Sequence, residues 1–79
     1  MNDVDIVERI DLLVAEEHRL EREHAANLTS EERARLGDIE VQLDQCWDLL
    51  RQRRARREAG QDPTGAAVRP PEVVEHYQQ

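Results

Sequence analysis

Seventy-nine residues with one Trp, one Tyr, no Phe and a net charge of −7 offer few large apolar side chains, so a sizeable self-contained core is excluded. One Cys excludes a disulfide framework and fits a reduced, cytoplasmic setting. No run of about twenty apolar residues is present to span a membrane, and the acidic, charge-interrupted amino terminus is unlike a secretory signal.

The first element in chain order is a helix over about 3–26. Ile6, Ile10, Leu13, Glu17, Leu20 and His24 recur at spacings of three and four, and Val7 and Val14 widen that side into a broad apolar face. Asp5 and Glu8 stand against the positive end of this helix, which fades around Ala25-Ala26-Asn27. The run Leu28-Thr29-Ser30-Glu31-Glu32 then reads as a helix start: Thr29 caps, and Glu32 at the third helical position closes a capping box. The second helix, over about 29–59, carries Leu36, Ile39, Leu43, Cys46 and Leu50 at the same spacings, with Trp47 beside the stripe. Gly60 suits the left-handed position that follows a helix.

A turn this short makes the helices antiparallel. Centred near Asn27 and Leu28, it sets Leu20 level with Leu36, Leu13 with Leu43, Ile10 with Cys46 and Ile6 with Leu50, and lets the second helix overshoot the first by one or two turns. Residues 1–60 are therefore expected to form a helical hairpin. Residues 61–79 form a linker and tail, with turn signals at Asp62-Pro63 and Thr64-Gly65, an extended Arg69-Pro70-Pro71 and a short helix over 72–77. The fold class is all-α: an antiparallel two-helix hairpin with an extended, Pro-containing tail.

Two helices burying one stripe each are marginal alone. The remedies are pairing of two copies into a four-helix bundle, docking of Val73, Val74 and Tyr77 on the hairpin, or an unidentified protein partner. Pairing as a homodimer is favoured, with the tail contributing second.

Charge is unevenly spread. Residues 1–50 hold fourteen acids and five arginines, whereas residues 51–60 hold five arginines and one acid. Arg51, Arg53, Arg54, Arg56 and Arg57 could contact phosphates of a nucleic acid. The stronger reading is structural, because cations at a helix C-terminus complement its dipole and the antiparallel register brings them near Asp3, Asp5 and Glu8. Trp47, ringed by Asp44, Gln45, Asp48, Arg51 and Gln52, has the composition of a recognition patch, or else receives the tail.

Catalysis and cofactors find little support. Ser30 belongs to a helix start, no nucleophile is spaced to be activated by His18, His24 or His76, and Gly37, Gly60 and Gly65 form no phosphate loop. Glu21 and His24 have an E-x-x-H spacing with Glu17 one turn earlier, but the second helix supplies no matching set, and surface ion pairs are the simpler outcome. Cys46 lies on the apolar stripe as a small core residue. No small-molecule substrate is evident.

The string from Ile39 to Glu58, with Leu43-Asp44-Gln45-Cys46-Trp47-Asp48-Leu49-Leu50-Arg51-Gln52-Arg53-Arg54 at its centre, and the segment Val68-Arg69-Pro70-Pro71-Glu72-Val73-Val74-Glu75 resemble a family of short actinobacterial proteins known only as a domain of unknown function. The Ile6 to Leu20 pattern fits the same family. The resemblance implies a stand-alone cytoplasmic bacterial helical protein with no assigned activity. The expected function is that of a non-enzymatic interaction or assembly module. Its partner-binding residues are Trp47, Asp48, Arg51, Arg53, Arg54, Arg56 and Arg57, and an arginine-mediated nucleic-acid accessory is the alternative.

Overall fold

The computed structural model describes residues 2–24 and 26–74, the side chain of His24 excepted. Two long helices, α1 (Asp3–His24) and α2 (Ser30–Glu58), are followed by a 3-10 turn at Pro63–Gly65 and a one-turn helix, α3 (Pro71–Val74). The described residues contain no strand, and the fold is an all-α hairpin whose tail returns along α2. Ala26 stands in the turn rather than in the expected continuation of the first helix, since 26–28 must reverse the chain before the next cap. Of the short helix expected over 72–77, residues 75–77 lie outside the described residues.

Both long helices begin with the same reciprocal device. Thr29 Oγ1 accepts the Glu32 N–H at 3.1 Å while Glu32 Oε1 accepts the Thr29 N–H at 2.9 Å. Before α1, Asn2 Oδ1 accepts the Asp5 N–H at 2.9 Å and Asp5 Oδ2 accepts the Asn2 N–H at 3.3 Å. Each box satisfies two amides that the helix cannot, and a cap of this kind contributes about 1 kcal/mol. The far end of α2 closes on Gly60, whose φ of 73° only glycine adopts without strain. The Gly60 N–H reaches Arg57 O at 3.1 Å and the Gln61 N–H reaches Arg56 O at 2.7 Å, the paired bonds of a Schellman ending.

Between the helices lies a small core of Ile6, Ile10 and Leu13 from α1 with Ile39, Leu43 and Leu49 from α2, all buried. Val14, Leu20, Cys46 and Leu50 pack around it, as does Ala66 from the tail. The ion pair between Asp3 and Arg53 lies three residues beyond Ile6 and Leu50, as the expected antiparallel register has it, whereas the Arg9–Gln42 and Glu16–Arg35 bonds join side chains five positions nearer the turn on α2. The stripe also has an addition. Leu49 is buried because α2 is covered on two sides, by α1 and by the returning tail.

Polar contacts seal one of the two seams between the helices. Arg9 donates to Gln42 Oε1 at 2.7 Å, and Arg35 grips Glu16 with two bonds of 2.6 and 2.7 Å. The Arg35 guanidinium holds the Glu16 carboxyl below its ordinary range, and the carboxylate in turn raises Arg35.

Candidate functional site

After Gly60 the chain folds back. Asp62 Oδ1 accepts the Thr64 N–H at 2.9 Å, a bond that holds this carboxyl below its ordinary pKa range and starts the Pro63–Gly65 turn. The turn sits on the guanidinium of Arg56, so close to Gly65 that a Cβ there would collide with it. From Ala66 onward an extended strap runs down α2.

Side chains of α2 hold the strap chiefly by its backbone. The Gln52 amide donates to Ala67 O at 2.7 Å and accepts from the Ala67 N–H at 3.4 Å, and Gln45 donates to Arg69 O at 3.1 Å. Between these two glutamines, Asp48 is fully buried and receives the Arg69 guanidinium as a fork, with Nε to Oδ2 at 2.9 Å and Nη2 to Oδ1 at 2.6 Å. The second N–H of the Gln52 amide reaches Asp48 Oδ2 at 2.9 Å. The spacing explains the match. Residues 45, 48 and 52 lie on one flank of a helix, and alternate residues 67 and 69 of an extended chain meet that flank.

Asp48, expected among the partner-binding residues, is thus the internal anchor of the strap, because a buried carboxylate requires a paired cation. Arg53 differs in the same way: it is buried, bonded to Asp3 and donating to Pro63 O at 3.3 Å. Arg57 reaches the other oxygen of Asp3 at 2.9 Å, so hydrogen bonds from Arg53 first and Arg57 second hold the Asp3 carboxyl below its ordinary range. Arg56 is half-buried under the turn. Arg54 and Arg51 remain exposed, Arg54 facing Glu58 one turn on at 3.3 Å. Much of the basic cluster therefore fastens the open end of the hairpin.

Among the tail residues, Val74 is fully buried, Val73 is 51% exposed, and Tyr77 lies outside the described residues. Trp47 is 37% exposed, one residue around the helix from Asp48 and away from the bonds that hold the strap. Of the residues weighed for a metal, Glu17 is half-buried, Glu21 is exposed, and the His24 side chain lies outside the described residues. No group of three His, Cys, Asp or Glu that could hold a metal ion is found among the described residues. Cys46 is half-buried, and burial pushes its thiol up.

Sequence reasoning named Gln45, Gln52 and Asp48 as polar neighbours of Trp47 and placed Arg69 in an extended segment without giving it a partner. The available signal was the helical spacing of those three against the lone arginine of the tail.

The two seams of the hairpin differ. Arg35, Gln42 and Leu49, seven apart on α2, mark the seam on the strap's side, and Arg9 and Glu16, seven apart on α1, meet them there. Across the core stripe lie Val7 and Val14 of α1 and Leu36 and Trp47 of α2, with Val4 one turn further out. Val4 is 64% exposed and Val7 45%. Among the described residues, this second seam carries no strap.

What the described residues present is an all-α hairpin buckled by a polar strap, with one apolar seam left open among them. The chain belongs to the family described as "Protein of unknown function (DUF2630)", whose sequence profile matches residues 2–79. The resemblance carried by the Leu43 to Arg54 string and the Val68 to Glu75 segment is thereby confirmed. Uncharacterized proteins of Mycobacterium tuberculosis and Mycobacterium bovis are each 55% identical to it over 67 residues, covering 82% of this chain and 77% of theirs. No solved structure matches it. Among the described residues, no helix is long and apolar enough to cross a membrane.

Proposed function

We propose that this protein is a non-enzymatic, cytoplasmic interaction module that binds a protein through the open seam. The observation that carries this reading is the exposure of Val4, Val7 and Trp47, which helical spacing sets on the side of the core stripe away from the strap's seam. A Trp flanked by aliphatic side chains and rimmed by charge has the composition of a binding hot spot. The arginine cluster supports a nucleic-acid role less well, because Arg53 and Arg57 are engaged by Asp3 and Arg56 lies under the Pro63–Gly65 turn.

The test is affinity capture with the tagged full chain, comparing wild type, Trp47→Ala and the double variant Arg51→Gln/Arg54→Gln. A protein retained by wild type and lost with Trp47→Ala is the expected result. The reading fails if retention is indifferent to Trp47, or if labelled RNA or DNA is held at about 50 mM salt and released steeply as salt rises.

A further inference from the structure

One stripe of α2 borders the open seam at spacings of four, three, four and three: Glu40, Asp44, Trp47, Arg51 and Arg54. Its two acids precede the tryptophan and its two arginines follow it. The stripe is therefore a charge palindrome about Trp47. Laid against a second copy running the other way, with the two Trp47 side chains at the centre, it sets Glu40 of each copy opposite Arg54 of the other and brings Asp44 within one residue of the level of Arg51. A two-fold axis perpendicular to the helices makes each pairing twice. Running the copies in the same direction would instead bring arginine against arginine and acid against acid.

On the first helix Val4, Val7 and Val14 border the same seam, and a second copy laid on it would cover them.

We propose, resting on the interaction reading above, that the partner at the open seam is a second copy of this chain. The two hairpins are reversed end to end, stack α2 on α2 and α1 on α1, and form a four-helix bundle with Trp47 at its dyad. Self-complementary charge selects this arrangement over both a parallel pair and a chemically different partner.

Sedimentation equilibrium of the full chain should give twice the 9.2 kDa chain mass at about 100 μM. Glu40→Arg alone and Arg54→Glu alone should each weaken association about tenfold, and the two together should restore it to within about threefold. These are exposed positions, and far-UV circular dichroism of each variant confirms that the helices are kept. Trp47→Cys in a Cys46→Ala background should form an intermolecular disulfide on mild oxidation, as two copies that meet at this residue require, while the charge reversals report their direction.

A wild-type chain that stays monomeric at 100 μM overturns the second-copy proposal. So do single reversals that leave association unchanged, or a double reversal that fails to restore it. If the monomeric chain still captures a protein in a Trp47-dependent way, the interaction reading stands without this partner. If it captures none, both fall.

Discussion

Toward α1, the long helix α2 presents Ile39, Leu43, Cys46 and Leu50, and the surface is closed by aliphatic packing. Toward the strap, the same helix presents Gln45, Asp48 and Gln52, and the surface is closed by a forked ion pair and amide bonds to an extended backbone. Packing of the first kind is non-directional and proportional to area, so it tolerates small shifts. The second kind is directional: each partner left without its mate keeps its desolvation cost. Two coverings of one helix are thus expected to fail in different ways.

The largest effect should come from the apolar side. Ile39 is fully buried, and Ile39→Ala removes three carbons from a core with few others, for an expected loss of about 3–4 kcal/mol. Urea melts followed by circular dichroism should show the whole helical signal lost at lower denaturant. An unchanged midpoint would mean that α1 and α2 are not held by this cluster.

On the strap side, Arg69→Ala leaves the Asp48 carboxylate buried with the Gln52 amide and without its cation, at an expected cost of about 2–3 kcal/mol. Amide exchange at Ala67 should accelerate while the hairpin keeps most of its helicity and Trp47 keeps its emission maximum. A shifted emission would place Trp47 under the strap after all.

Acid should act more weakly and on the rim. Asp3 and Glu16 are held below their ordinary values of 3.8 and 4.5 by the arginines facing them. Because the folded values are the lower ones, their contribution is fully present above those ordinary values and is lost as pH falls through the folded ones. Melting temperature should therefore hold from neutral pH to about 5 and then decline below about 4. A rise in stability on acidification would remove these pairs from the account.

How much of this was legible in the sequence follows from the same contrast. The Thr29 box, the Gly60 ending, the Ile6-Ile10-Leu13 stripe and the Ile39-Leu43 stripe are local or periodic, and each was readable. Leu49 and Asp48 were not. A periodic pattern assumes one buried side per helix, whereas α2 has two, and the second buries Leu49 off the main stripe and the polar Asp48, which pattern alone does not assign to an interior. The nearness of Arg53 and Arg57 to Asp3 was readable from the antiparallel register, whereas the burial of Arg53 depends also on Pro63 O, which the register does not place. The pairing of Arg69 with Asp48 needed the path of the tail, which Pro70 keeps extended up to the start of α3 at Pro71 without saying which flank of α2 it follows.

Arg53 has a consequence for how the molecule comes apart. A single guanidinium joins the first turn of α1 and the turn that launches the strap, so the beginning of the chain and its return share one rivet. Working that rivet loose from either direction frees both. The opposite extremity, secured by its own box at Thr29, has no part in it, and unravelling should start where the ends meet rather than where the helices are joined.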